Sequence, residues 1–548
     1  MNSRLLLLVP LAASTLWAQV SFDRILGANK EPQNWLTYSG TTFSQRYSLL
    51  NQVTPANVKN LELQWTYQVR SLEKFEATPL VVDGIMYTVE APNTVIALDA
   101  VSGRVFWKYT YAPAADARPC CGRVNRGVAI AGDTLFMGTI DAHLIAIDAK
   151  SGKLLWDKNV APAKSGYAVT LSPLVIKDKV LIGTAGGELG VRGFLAAYDT
   201  KTGKELWRFY TIPGPGEPGH ETWQNDAWKT GGGPIWVTGS YDPESNLTYW
   251  GVGNAGPDYN GDVRPGDNLY TSSVIALDAD TGTLKWHYQF SPHDQYDYDA
   301  VQVPVLADMQ WQGRPRKVML WAFRGGLFYV LDRTTGQFLL GKPFVEVNWM
   351  NGFDEDGRPK LVAGKQPSAE GVRITPGNQG GTNWYSPSYS PRTGLFYISS
   401  WVNYTTSFSK GDQDYAEGKF YTGGGGRRAN PNVVTPAFLT GANTLNVRKE
   451  EEGYGAIRAM DLQTGERKWE YKMSDVTDAG ILTTATDLLF SGGRDGYFYA
   501  LDARTGTLLW KASVGGYIAN GPMTYSVGGR QYLAIAAGNS MFVYALRQ

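Results

Sequence analysis

Cys120 and Cys121 are the only cysteines in this chain of 548 residues, and they are neighbours. A trans peptide holds adjacent Cα atoms about 3.8 Å apart, below the usual disulfide range of about 4.4–6.8 Å. A bond between them would close a strained, compact ring with a flat sulfur face. The alternative is two reduced, buried small residues. A second reactive group lies in SPHDQYDYDA, where Asp297 and Asp299 are two positions apart. On a strand, residues at that spacing share a face, so both carboxylates would reach one cation; otherwise Asp299 faces solvent or pairs with a nearby Arg or Lys. Carboxylate oxygens suit a hard cation rather than zinc. The four histidines, His143, His220, His287 and His293, show no ligand spacing. His293 is expected to fix the aspartate loop rather than bind metal.

Such residues need a scaffold, and the chain writes one repeatedly. A short apolar strand, an Asp, a turn ending in Gly and a second strand ending in Trp recur along the sequence. The copies are VIALDAVSGRVFW (Asp99, Trp107), LIAIDAKSGKLLW (Asp148, Trp156), LAAYDTKTGKELW (Asp199, Trp207), VIALDADTGTLKW (Asp278, Trp286), IRAMDLQTGERKW (Asp461, Trp469) and FYALDARTGTLLW (Asp502, Trp510). FYVLDRTTGQFLL around Asp332 is a degenerate copy with Leu340 in place of Trp. Each reads as a β-hairpin in which Asp bonds the turn amides, Gly takes positive φ and Trp wedges against the next sheet. Period-two alternation argues against a helical solenoid, and a spacing of about fifty residues signals a propeller. Strands around Leu61–Val69 and within Gln531–Leu546 are expected to close the ring. Long inserts between Trp207 and Asp278, and between Asp332 and Asp461, read as loops over one face of the disc, where function concentrates. The second holds Tyr404 to Lys449, including Gly423 to Gly426.

The first residues read as a secretion signal: Arg4, the apolar stretch from Leu5 to Leu11, and a small residue at Ala18. The stretch is far short of a spanning helix. A leader over 1–18 followed by one exported, soluble propeller domain over 19–548 is therefore expected, with an uncleaved anchor as the alternative. Export makes a disulfide permissible. Formal net charge is zero, which leaves no electrostatic footprint for nucleic acid or an anionic membrane.

The repeat phrase, the adjacent cysteines and several loop motifs together resemble the quinoprotein alcohol dehydrogenases over nearly the whole mature chain. These are all-β, eight-bladed propellers that bind pyrroloquinoline quinone (PQQ) and a metal ion on the axis. The resemblance implies that Cys120 and Cys121, in CCGRVNRG, form a disulfide against one face of the quinone, and that Arg126 bonds its reactive oxygens. It implies that Trp236, in GGGPIW, stacks on the opposite face. Glu188 in TAGGELGVRG and Asn254 in GVGN match oxygen ligands of the ion. Asp297 matches the catalytic aspartate and a ligand. Asp299 matches a position that is Asp in lanthanide-dependent relatives and small and uncharged in calcium-dependent ones, so a lanthanide is expected rather than calcium. Glu76, Thr170, Arg324, Asn383, Trp384 and the backbone at Gly187 match further cofactor contacts. Asp478, in DAGILTT, stands near where relatives often place Trp, a departure at the rim of the substrate pocket.

The implied activity is periplasmic oxidation of a primary alcohol to the aldehyde, with Asp297 as general base, the ion as Lewis acid and electrons leaving to a cytochrome c. A homodimer is common among relatives. The chain has no Cys-x-x-Cys-His and so no covalent haem motif. One alternative is calcium-dependent oxidation of another alcohol, polyol or sugar. The other is a cofactor-free propeller scaffold for protein assembly, which needs the Asp–Gly–Trp phrase but neither the adjacent cysteines nor the oxygen ligands.

Overall fold

The Asp–Gly–Trp phrase folds as the hairpin its residues dictate. In the first copy, Asp99 Oδ1 accepts from the amides of Val101 and Ser102 at 3.0 and 2.8 Å, which ties the turn. The Gly that ends each turn does two jobs. Gly152 has φ +70°, and a Cβ there would stand 2.5 Å from the indole of Trp107 on the preceding sheet. Trp107 in turn donates from Nε1 to the Ala149 carbonyl at 3.1 Å. The same seat recurs for Gly103 on Trp65, Gly203 on Trp156, Gly282 on Trp207, Gly336 on Trp286 and Gly506 on Trp469. After the degenerate copy, Gly465 meets Leu340 and Lys342 instead. Each indole thus docks one sheet to the next turn, a contact that only a residue without a side chain permits.

The computed structural model describes residues 20–427, 447–448 and 453–548; the predicted leader and part of the Tyr404–Lys449 insert lie outside them. Eight four-stranded antiparallel blades, one of them extended by Tyr47–Ser48 pairing in parallel with Leu482–Thr484, make the ring of an eight-bladed β-propeller. The first blade runs through Leu80–Val82, Ile85–Glu90, Thr94–Asp99 and Val105–Thr110. Its innermost strand is buried and its outermost alternates toward solvent. The last blade closes the ring as expected: Leu61–Gln68 pairs antiparallel with Ser540–Leu546, from Leu61 opposite Leu546 to Gln68 opposite Ser540. Closure leaves the ring without an open seam. Among the described residues no helix is long and apolar enough to cross a membrane.

The meander sorts residues between the two ends of the disc. Turns within the first and last hairpins, including every Asp–Gly turn, lie at one end. The lead-in to each innermost strand and the loop from second to third strand lie at the other. Glu76 leads into Leu80–Val82, Arg126 into Ala129–Ala131, Thr170 into Leu174–Ile176, and Trp236 into Ser240–Asp242. Asp297 and Asp299 lead into Val305–Trp311, and Asn383 and Trp384 into Ser388–Ser390. Glu188, Asn254 and Arg324 follow the second strands Lys179–Gly183, Leu247–Val252 and Arg314–Phe323. Residues remote in sequence therefore converge at one end of the axis.

Candidate active site

A cavity of about 400 Å³ opens there. Its walls include Glu76, Cys120, Cys121, Arg126, Thr170, Glu188, Trp236, Asp297, Asp299, Arg324, Asn383 and Trp384. Asn254 lies behind that wall, 1% exposed. Gly187 also lies behind it, where a Cβ would stand 3.1 Å from Asn254 Oδ1; Ala185 and Gly186 line the cavity in its place.

Cys120 and Cys121 are bonded to each other, with Cα atoms 3.8 Å apart. Cys120 is half-buried and Cys121 exposed, so the reading as a reduced, buried pair is excluded. One Glu188 carboxylate oxygen and the two sulfurs lie within 4.8 Å of one another. This is packing of the disulfide on Glu188 and not a ligand set, because bonded sulfurs are poor donors to a hard cation.

The carboxylates crowd around one guanidinium. Arg324 donates from Nη1 to Asp299 Oδ2 at 2.6 Å and from Nη2 to Asp297 Oδ2 at 3.1 Å. It also donates from Nε and Nη2 to the Asn378 carbonyl at 3.0 and 2.7 Å. Asn378 Nδ2 donates to Asp297 Oδ2 at 2.8 Å and to the Tyr259 hydroxyl at 3.1 Å. Asp299 Oδ1 accepts from the backbone N–H of Asn254 at 2.9 Å. The Asn254 amide is oriented by Asp258, whose Oδ1 accepts from Nδ2 at 2.9 Å. Within this cluster, two buried acceptors have no hydrogen-bond partner among the described residues: Asn254 Oδ1 and Asp297 Oδ1.

Burial, then Asp299, pushes the Glu188 carboxyl up to about 7. Burial raises Asp297 and Asp258 well above the ordinary carboxylate range, and each is raised further by neighbouring carboxylates. Asp299 rises through burial, with Arg324 opposing. Four acidic groups thus repel one another in a low-dielectric pocket with Arg324 between two of them, and only hard oxygen donors face inward. That donor set fits a multivalent hard cation.

Across the cavity, Arg126 Nη2 pairs with Glu76 Oε2 at 2.8 Å, and Nη1 donates to Thr170 Oγ1 at 3.1 Å. Its guanidinium lies 4.9 and 4.6 Å from the ring centroids of Trp236 and Trp384, both half-buried. Asn383 spends its amide locally, donating to the Gln379 carbonyl at 3.1 Å and accepting from the Trp384 amide at 2.9 Å. The His293 Nδ1–H donates to the Gly266 carbonyl at 2.6 Å, so this ring does fix its loop.

One sequence expectation differs from the structure. Asp297 and Asp299 are not on a strand: the segment is irregular and Asp297 has φ +57°. The carboxylates converge because a turned loop and Arg324 gather them, not because alternation puts them on one face. Arg324, matched in the sequence as a cofactor contact, lies beside Asp297. The sequence reading missed Asp258, Tyr259 and Asn378, which have no spacing signature; Asn378 follows TP in TPGNQGG, a turn signal but not a chemical one.

A family model described as "PQQ: Glucose/ethanol/alcohol dehydrogenase, beta-propeller domain" matches residues 35–348 and 363–533. The chain belongs to the PQQ-dependent quinoprotein alcohol dehydrogenases. Among its relatives, quinoprotein alcohol dehydrogenase PedH of Pseudomonas putida is 37% identical, covering 97% of this chain and 91% of that protein. The lanthanide-dependent methanol dehydrogenase of Methylacidiphilum fumariolicum is 35% identical over 98% of this chain and 90% of its own length. A solved europium-containing methanol dehydrogenase superposes with a TM-score of 0.88 at 33% identity, covering 96% of this chain and 100% of that one. This quinoprotein is therefore an oxidoreductase that uses PQQ and takes an alcohol, and a metal ion is typical of its family.

Proposed function

We propose that this quinoprotein oxidises a primary alcohol to the aldehyde with PQQ and a lanthanide ion. The observation that carries the metal reading is the pair of buried, unpartnered acceptors, Asn254 Oδ1 and Asp297 Oδ1, within a cluster that repels itself. Buried acceptors without donors are costly, and a cation relieves both the missing bonds and the repulsion. Glu188, Asn254, Asp297 and Asp299 would hold the ion. Asp299 favours a trivalent ion because it adds a negative donor to the set.

PQQ, when bound, supplies the two-electron acceptor that no side chain here provides. Trp236 offers a flat ring on one side of the cavity and the Cys120–Cys121 disulfide a flat face on another, with Glu76, Arg126, Thr170, Trp384 and Asn383 at the margin. Gly186 lets the backbone approach the cavity, and Gly187 leaves room for the Asn254 amide. Asp297 takes the hydroxyl proton as general base. Its Oδ2 is held by Arg324 and Asn378, which fixes the orientation of the carboxylate for that transfer. Arg324, beside Asp297, would offset negative charge that develops during transfer. The propeller belongs in the periplasm on the strength of the leader read over 1–18, with a cytochrome c as electron acceptor and a homodimer as its assembly.

Reconstitution tests this reading. Apoprotein is given PQQ with lanthanum or with calcium and assayed with an artificial electron acceptor. Alcohol oxidation with lanthanum exceeding that with calcium is expected. Activity with calcium alone overturns the ion assignment, and neither binding nor activity with either ion would favour an assembly scaffold.

A further inference from the structure

The cavity has a second polar end that proton removal by Asp297 does not use. Asp478, in the lead-in to Leu482–Thr484, is 4% exposed. Arg494, in the loop after Leu488–Gly492, donates to Asp478 Oδ2 from Nε at 2.9 Å and from Nη2 at 2.7 Å. Its guanidinium lies 4.9 Å from the Trp401 ring centroid and 5.6 Å from that of Tyr517, so its plane is fixed by aromatic faces. Asp478, Arg494, Tyr385 and Tyr517 line the same cavity as Asp297.

This pair is incomplete in a particular way. Asp478 Oδ1 is buried and accepts no hydrogen bond of good geometry among the described residues, although the Tyr385 and Tyr517 hydroxyls stand close to the carboxylate. Arg494 spends Nε and Nη2 on Oδ2, and its Nη1 has no protein acceptor among the described residues. An acceptor without a well-formed bond therefore stands beside an open donor. The charges of the pair cancel, and any ligand carboxylate would lie against the negative Oδ1. A hydroxyl group both donates and accepts, and it satisfies both atoms at once. An aliphatic chain satisfies neither and would leave a buried acceptor and a half-buried donor desolvated.

We propose that Asp478 and Arg494 form a subsite for a second hydroxyl of the substrate, so that diols and polyols are preferred over plain alkanols of the same length. This rests on the reading above, in which the reacting hydroxyl sits at Asp297. The pair acts on specificity by binding the far end of the molecule.

The experiment compares matched pairs, glycerol with propanol and the terminal diol of butane with butanol, in protein reconstituted with PQQ and lanthanum. The ratio of kcat/KM within each pair is read for the wild type, for Asp478→Asn and for the double variant Asp478→Leu, Arg494→Leu. Binding is read separately by saturation-transfer NMR, which needs no turnover, and thermal melts check folding. In the wild type the hydroxylated member of at least one pair should be favoured about tenfold or more, and the ratio should collapse toward one in the double variant. Should the double variant fail to fold, Asp478→Asn, which keeps the shape but replaces an acceptor with a donor, should still lower the ratio. Equal kcat/KM within both pairs in the wild type, or ratios that the variants leave unchanged, overturns the subsite while leaving the dehydrogenase reading intact. Selective diol binding that the variants abolish, without oxidation of any alcohol, supports the subsite and sinks the dehydrogenase reading. Neither binding nor oxidation overturns both.

Discussion

The backbone N–H of Asn254 donates to Asp299 Oδ1 at 2.9 Å. This bond joins two loops from adjacent blades and sets the fourth carboxylate beside the open amide oxygen of Asn254. Arg324 takes the other oxygen of Asp299 at 2.6 Å, so the residue is a structural tie and a source of negative charge together. Asp299→Ala should weaken lanthanide affinity about tenfold or more, because it removes one charge from a set tuned by charge, and should weaken calcium less. The apoprotein should melt close to the wild type, since one of four mutually repelling carboxylates is lost along with its bonds. Titration with terbium or europium luminescence checks this; an unchanged affinity would show that Asp299 is no ligand.

Asp258 holds the Asn254 amide by accepting from Nδ2 at 2.9 Å, which leaves Oδ1 facing inward. Asp258→Ala frees the amide to rotate. Ion affinity should fall about tenfold to a hundredfold, the usual cost of losing a group that orients a ligand, without any change in the four candidate ligands themselves. Asp258→Asn keeps a side-chain oxygen able to accept from Asn254 Nδ2 and should recover part of the affinity; unchanged affinity in Asp258→Ala would contradict the orienting role.

The docking turns make a different class of prediction. Gly152→Ala places a Cβ 2.5 Å from Trp107 at a backbone with φ +70°. The combined strain and overpacking should cost about 1–3 kcal/mol. Urea unfolding should show the loss, while PQQ affinity should stay as in the wild type, because the turn lies at the opposite end of the disc from the cavity. A fall in cofactor affinity matching the fall in stability would contradict that separation.

Those docking turns explain why the fold was legible in the sequence. Each Gly is needed twice, for positive φ and for the indole seated on it, so the phrase repeats with little freedom. Leu340 broke the phrase, yet its blade still forms, because Phe338–Pro343 keeps its pairing with Leu327–Asp332. The site was legible only in part. Glu188, Asn254, Asp297 and Asp299 lie in loops with recognisable motifs. Their mutual geometry is set by Arg324, Asn378 and Asp258, which come from several blades and have no common spacing. The alternation rule failed at Asp297 because the loop turns there, at φ +57°, and Arg494 was invisible as the partner of Asp478 until the two loops were seen to meet.

His293 gives the site loop a pH dependence. Burial, then Arg264, holds its pKa below the ordinary value. The fold therefore favours the neutral ring, whose Nδ1–H donates to Gly266. The unfolded chain takes up the proton first as pH falls through about 6.5, so this contribution is complete above that value and is lost below it. Between about pH 7.5 and about pH 5.5, the wild type should lose more thermal stability than His293→Gln, which keeps a donor but cannot titrate. Parallel losses in the two proteins would contradict a neutral His293.

The central claim is that oxygen atoms from several blades share one cation at the end of the axis. It is tested most directly by anomalous diffraction from crystals of the protein loaded with PQQ and a lanthanide. The account predicts one dominant peak about 2.3–2.6 Å from oxygens of Glu188, Asn254 and Asp297, with Asp299 completing the set. A peak elsewhere, or density for PQQ in the cavity with no ion among these four residues, would contradict it.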